Sequence, residues 1–354
     1  AIFKKFFDPD GINDFMGYGD IIRPPSVPYD SLLTNMCWSP DSQWLAVAHY
    51  SQVDGNKSYV SLYQKSLLTD EYVITDTQQV QTAPIGTLKW SKSGRFLSIG
   101  LAARISVWYR LGSVLENAMP YSYTDPYTDI RLVNSARPDW TIDVDGKERL
   151  YFLSGSKTGP GTFDILWTLT YLTFDTDNPF LSVYNPVYTW FSMNNLSPLI
   201  NEFHLDVSPD NRYMVCSTQN NLNLTHVWKN PGAGITLGSE IPIPTALNYS
   251  QYCGASWAPD SSCFLIHQAD ANDFLAIYKV SKTDYQVEKL PSDPIIQSVI
   301  GIRASVVCMS WSPDAKYLAL LATPHGGTTY DIYVFEIAQV IVKFFLERVI
   351  HAPV

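Results

Sequence analysis

Hydrophobic positions along the chain fall into short β-prone stretches on either side of a polar turn motif, and this arrangement recurs from one end to the other. Five segments align: Trp38-Ser39-Pro40-Asp41-Ser42, Trp90-Ser91-Lys92-Ser93-Gly94, Val207-Ser208-Pro209-Asp210-Asn211, Trp257-Ala258-Pro259-Asp260-Ser261 and Trp311-Ser312-Pro313-Asp314-Ala315. Each is followed by a second apolar stretch such as Trp44-Leu45-Ala46-Val47 or Tyr317-Leu318-Ala319-Leu320. A weaker sixth, Ile142-Asp143-Val144-Asp145-Gly146, reads as one residue longer than the others before Leu150-Tyr151-Phe152. Pro presets φ at the second position of a tight turn. Asp and the small residue after it bond the local backbone, so each motif predicts strand, turn, strand.

A third strand follows in every unit: Tyr59–Tyr63, Arg104–Trp108, Phe163–Trp167, Leu224–Trp228, Phe274–Tyr278 and Asp331–Phe335, each ending on an aromatic. A more polar fourth strand, for example Glu71–Thr75, leads to the next unit. The motifs start at 38, 90, 142, 207, 257 and 311, a period near 50 except for one longer interval. Four strands per unit at that period is the arithmetic of an all-β β-propeller built from four-stranded blades. One blade cannot cover both its faces, and a ring of neighbours can.

Six motifs favour six blades, with a seventh, degenerate blade as the alternative. The division expected is an N-terminal arm and closing strand over 1–30, a propeller over 31–337 and a C-terminal extension over 338–354 packed on it. Ile21 and Ile22 are expected to form a strand beside the blade containing Tyr330–Ile337, which would close the ring. The longest interval carries an insertion around Asp175–Leu199, read as an aromatic loop with Tyr188, Trp190 and Phe191.

Over roughly residues 31–337 the sequence resembles the WD-repeat and related propeller families. The Trp-Ser-Pro-Asp turns and the third strands ending in Val-Trp or Ile-Tyr carry the likeness. It departs from the strict pattern: Trp108 is followed by Tyr109 and Trp228 by Lys229, where that pattern has Asp, and the Gly-His pair is absent. The resemblance implies the architecture and leaves the activity open.

Composition narrows the function. Of 354 residues, 46% are hydrophobic and 16% charged, as in a chain that builds a core. The net charge of −10 argues against nucleic acid, whose phosphates need clustered Lys and Arg. No apolar run is long enough to span a membrane: Val340–Ile350 is broken by Lys343, Glu347 and Arg348 and reads as a buried terminal element. Lys4 and Lys5 precede only two apolar residues, so no signal peptide is expected. The five cysteines, Cys37, Cys216, Cys253, Cys263 and Cys308, lack C-x-x-C spacing and read as reduced core residues.

The search for chemistry assigns no catalytic, cofactor-binding or metal-binding residue. His49, His204, His226, His267, His325 and His351 make no zinc spacing. Asp8–Gly11, Asp143–Gly146 and Asp175–Asn178 lack calcium-loop spacing and read as turns. Ser154–Gly159 only superficially resembles a phosphate loop, and no G-x-S-x-G elbow exists. The function expected is therefore non-enzymatic: a docking platform for protein subunits of a larger assembly, made in the cytoplasm and incorporated into a cytosolic complex or a virus or phage particle. Two alternatives stand beside it: a hydrolase acting at the mouth of the propeller channel on a sugar or small molecule, and a glycan- or receptor-binding module.

Overall fold

The computed structural model describes residues 3–5, 15–17, 32–66, 72–81, 85–101, 104–118, 136–157, 165–177, 187–189, 203–218, 225–231, 240–241, 243, 251–269, 275–281, 283–290, 294–301, 304–312, 314–324, 327, 331–338 and 343–351. Among them lie six sheets built on one antiparallel meander, in which chain order is also strand order. Sheet 1 comprises Leu32–Trp38, Trp44–Ser51, Lys57–Lys65 and Tyr72–Gln81. Sheet 2 comprises Ile85–Trp90, Phe96–Leu101, Arg104–Leu111 and Val114–Asn117. Sheet 3 comprises Asp139–Ile142, Glu148–Lys157, Ile165–Phe174 and Val187–Thr189. Sheet 4 runs Phe203–Val207, Tyr213–Thr218, Thr225–Lys229 and Glu240–Ile241, with Ala136–Arg137 added in parallel along its first strand. Sheet 5 is Gln251–Trp257, Cys263–Ala269, Leu275–Val280 and Val287–Leu290. Sheet 6 is Ser305–Trp311, Tyr317–Thr323, Asp331–Ala338 and Lys343–His351.

The turn chemistry works as the motif predicts. Ser39 Oγ accepts the Trp44 N–H at 2.9 Å, Asp41 Oδ1 accepts the Gln43 N–H at 3.0 Å, and Ser42 N–H closes on the Ser39 carbonyl at 2.9 Å. The same Ser-to-aromatic bond recurs from Tyr213 to Ser208 (2.9 Å) and from Tyr317 to Ser312 (2.8 Å). The fifth motif position is left-handed in all five: φ is 55° at Ser42, 69° at Gly94, 62° at Asn211, 58° at Ser261 and 57° at Ala315. That conformation explains the small and amide side chains there.

The sixth motif differs from its reading. It is one residue shorter, not longer: Asp143 N–H bonds the Lys147 carbonyl, four residues on, where Ser39 bonds Trp44, five on. The Asp143 carboxylate takes both polar jobs, accepting from Asp145 N–H (2.9 Å) and Lys147 N–H (2.8 Å). The third strand is Ile165–Phe174, which takes in Ile165–Trp167 of the expected stretch and runs on past it: Phe174, opposite Glu148, holds the place that Tyr63 holds opposite Leu45. Its hairpin with Glu148–Lys157 is ten pairs long, which displaced the aromatic used to locate it.

Three further expectations change. The C-terminal extension is not an add-on, because Lys343–His351 is the fourth strand of sheet 6 and pairs along Asp331–Ala338. That fills the place beside Asp331–Ala338 foreseen for an N-terminal strand; Ile21 and Ile22 themselves lie outside the described residues. The insertion after Asp175 is not only loop, since Val187–Thr189 supplies the fourth strand of sheet 3. A short helix, Pro294–Ile300, interrupts the all-β pattern between sheets 5 and 6 and buries Ile296 and Ile300 in their shared core. Phe3–Lys5 and Phe15–Gly17 form a separate two-stranded hairpin.

The first strands of successive sheets lie side by side, so the six sheets form a propeller-like array with these strands innermost. Aromatics fill the space between sheets. Trp140 stacks on Phe96 (5.9 Å) and packs on Phe174 (5.5 Å), while Tyr213 stacks on Trp257 (5.5 Å). Each buried ring of this size contributes about 1.5–3 kcal/mol. Three indoles also donate across the gap to the preceding sheet: Trp90 to the Cys37 carbonyl (3.2 Å), Trp140 to that of Lys89 (3.2 Å) and Trp257 to that of Asp206 (3.1 Å).

Candidate functional site

Those three acceptors stand at one position of the repeat, immediately before the turn motif on the first strand. In a strand, residues two apart share a face. The inner faces of sheets 2, 3 and 4 therefore present Lys89, then Asp139 and Thr141, then His204 and Asp206. Lys89 Nζ lies 3.3 Å from Asp139 Oδ1 and 3.6 Å from Asp206 Oδ1. Three separate sheets thus deliver one cation and two acids to a single point.

Main-chain donors fix both acids. Val207 N–H donates to Asp139 Oδ2 at 2.6 Å and Trp140 N–H to Oδ1 at 2.8 Å. Trp257 N–H, from sheet 5, donates to Asp206 Oδ2 at 2.6 Å. Exposure is graded: the side chain of Asp139 is 1% accessible, that of Asp206 18% and that of Lys89 45%. The cluster is sealed at Asp139 and opens to solvent at Lys89.

This gradient separates the two acids electrostatically. Burial, reinforced by the negative charge of Asp139, pushes Asp206 up to about 7 in spite of Lys89. Burial also works against ionised Asp139. There Lys89, Lys92 and the Val207 N–H outweigh it and hold the carboxyl below its usual range. Crowding opposes the Lys89 charge as well, but the two carboxylates overcome it and raise the ammonium. The pair titrates as a unit that keeps one proton near neutrality, with Lys89 balancing the remaining negative charge. An acid poised near 7 beside a fixed ammonium can take and return a proton while the cation meets developing negative charge.

Beyond Asp206, the first strand of sheet 4 presents His204, whose ring lies 6.1 Å from that of His267 in an edge-on contact. Both rings are buried. The His267 ring occupies the space above Gly254, where a Cβ would come within 2.1 Å of Nε2.

The sequence reading named none of Lys89, Asp139 or Asp206. A signal was present: aligned repeats place Cys37, Lys89, Asp206 and Ser256 in the same column, and two opposite charges within short apolar strands stand out. The histidines read as structural are placed in strands. His49 and His267 lie within second strands, not after them, and His226 stacks on Trp228 and meets Glu240 at 2.6 Å. His325 lies outside the described residues. Asp143 and Asp175 cap turns as expected, and Asp8–Gly11 lies outside the described residues. Ser154–Lys157, read as following a strand, lies within the strand Glu148–Lys157. Cys37 and Cys263 are free thiols, and burial pushes the Cys37 thiol up to about 12. Among the described residues no group of three His, Cys, Asp or Glu is placed to hold a metal, and no helix is long and apolar enough to cross a membrane.

An all-β array of four-stranded antiparallel sheets with a charged inner-strand cluster is the class that fold and site define. No family model matches the chain and no curated protein matches it. Solved structures do. A candidate 6-phosphogluconolactonase of Bacteroides uniformis matches with a TM-score of 0.57 at 14% identity, over 90% of this chain and 85% of its own. A periplasmic gluconolactonase of Pseudomonas aeruginosa matches with a TM-score of 0.60 at 11% identity, over 90% and 85%. A chain of the mitotic checkpoint complex matches with a TM-score of 0.51 at 17% identity, over 83% and 72%. These likenesses establish the propeller-like fold. They correct the expectation of a docking platform in favour of its hydrolase alternative, since structures named as lactonases stand among those that share this architecture over most of the chain.

Proposed function

We propose that the protein is a hydrolase that opens a small lactone or ester at the inner-strand cluster of Lys89, Asp139 and Asp206. The observation that carries this reading is the graded triad itself: a sealed acid, a partly exposed acid near 7 and an accessible ammonium within 3.3–3.6 Å of the two. The naming of similar structures as lactonases supports it.

In this reading ionised Asp206 takes a proton from water as the water oxygen attacks the substrate carbonyl. Lys89 Nζ meets the oxyanion that forms. As the tetrahedral intermediate collapses and the C–O bond to the leaving alkoxide breaks, protonated Asp206 returns its proton to that oxygen. Asp139 stays ionised and orients Lys89 and Asp206. The products are a carboxylic acid and an alcohol, joined in one chain when the substrate is a lactone.

The same reading takes the six sheets as blades of a closed ring, with sheet 6 covering sheet 1. Trp90 and Trp257 are each 4% exposed against a preceding sheet, whereas Trp38, their counterpart in sheet 1, is 46% exposed and its neighbour Met36 65%. Closure gives this pair the cover its counterparts have.

The test is hydrolysis of δ-gluconolactone by the full chain, followed by proton release. Lys89→Met and Asp206→Asn are expected to lower kcat by about 100-fold or more, the scale of one oxyanion donor or one acid–base group. Turnover that both variants retain would refute the assignment.

A further inference from the structure

We infer that this site takes an uncharged, hydroxyl-bearing lactone or ester and discriminates against its phosphorylated counterpart, an inference that rests on the hydrolase reading and sharpens it. The six first strands contain one Lys or Arg residue, Lys89, against two acidic ones, Asp139 and Asp206, and the short strand Ala136–Arg137 beside Phe203–Val207 adds Arg137. Lys89 is engaged by both carboxylates. With one proton shared between the acids, these three side chains sum to no net charge.

A phosphate monoester brings roughly −1.5 to −2 charges near pH 7 and needs paired cations or several main-chain donors. Of the nearby cations Arg149 is committed, pairing with Asp143 at 3.4 Å while lying over the Tyr171 ring at 4.8 Å, and the charge of Lys92 is felt at Asp139. The main-chain N–H groups of Val207 and Trp257, which point into the cluster, are used by the two acids. An arriving phosphate would have to break these bonds or stand beside Asp139 unpaired, in a chain that already carries a net charge of −10. The inner strands instead offer neutral polar groups: Ser256 is half-buried, Ser310 is exposed, and Asn35 spans to the Gly86 carbonyl at 3.1 Å. Such groups exchange hydrogen bonds with hydroxyls without needing a counter-charge.

Binding to the full-length chain measures this without turnover. The probes are glucono-1,5-lactam, which hydrolysis does not consume, and its 6-phosphate, each titrated calorimetrically at neutral pH and low salt. The uncharged lactam is expected to bind at least about tenfold more tightly, a difference calorimetry resolves easily. Asp206→Asn, which keeps an acceptor for the Trp257 N–H and copies the protonated acid, should leave that preference in place. Equal or tighter binding of the phosphorylated lactam, or no binding of either, overturns the inference. Lactone hydrolysis followed in parallel separates the two claims. Selective binding without turnover sinks the hydrolase reading alone, and turnover that favours the phosphorylated lactone sinks the selectivity alone.

Discussion

Trp257 holds Asp206 twice across the gap between sheets 5 and 4: its main-chain N–H meets Oδ2 at 2.6 Å, and its indole N–H meets the Asp206 carbonyl at 3.1 Å. The contact that packs two sheets is therefore also the contact that positions the more exposed acid of the cluster. Trp257→Phe keeps the ring stack on Tyr213 and deletes only the indole bond, leaving the Asp206 carbonyl without that donor. Urea unfolding should show a loss of about 1–2 kcal/mol. The pH dependence of any lactone hydrolysis should shift with it, because the Asp206 backbone is freed. A variant as stable as the parent would show that the indole bond contributes nothing.

The shift of Asp206 makes stability fall as pH rises. The carboxyl sits at about 7 in the folded chain and near its ordinary value, roughly 4, in the unfolded one. Between those values the folded state binds the extra proton, so each step upward in pH removes part of its advantage. Asp139 works in the opposite sense: held low, it stabilises above about pH 4 and loses that contribution only in more acid solution. The urea midpoint should therefore drop from about pH 5 to about pH 8, and Asp206→Asn should flatten that slope. An unchanged slope in the variant would assign the effect to another group.

Glu148 stands where the other sheets place Leu45, Leu97, Met214, Phe264 and Leu318. It is 1% exposed; Oε1 accepts the Ser93 N–H from the turn of sheet 2 at 2.7 Å, and Oε2 has no partner. A carboxylate here is expensive to bury and does the work of one amide oxygen. Glu148→Gln keeps that oxygen and removes the charge, so thermal unfolding should show equal or greater stability. Glu148→Ala should lose about 2–4 kcal/mol by leaving Ser93 without its acceptor and opening a cavity. If Gln and Ala destabilise equally, the Ser93 bond is not what the residue provides.

How much of this was legible depended on whether a feature repeats. The turns were readable because Pro40, Pro209 and Pro259 and the small residues after them announce one local geometry each time. Sheet 3 was misregistered because Asp143 replaces both polar residues of the turn and removes a position, and because a hairpin of ten pairs carries the key aromatic on from Trp167 to Phe174. Sheet 6 was read one strand short because charges in Lys343–His351 masked a strand that pairs along a single neighbour. The cluster was missed for a deeper reason. Lys89, Asp139 and Asp206 lie far apart in the chain, two of them before a motif and one three places earlier, and only the lateral packing of three sheets makes them neighbours.

Gly254 tests whether the His267 ring is placed by that same packing. The two residues face each other across the first and second strands of sheet 5, and a Cβ on residue 254 would come within 2.1 Å of Nε2 and 2.8 Å of Cδ2. Both positions are buried, so the ring must leave its place or the strands must separate. Gly254→Ala should cost about 2–4 kcal/mol by overpacking, read from urea unfolding. In a His267→Ala background the added methyl occupies space the ring has vacated, and most of that cost should disappear. A coupling of about 2 kcal/mol between the two sites is expected from such direct contact. Additive losses would mean that the penalty at residue 254 comes from the backbone and not from the ring above it.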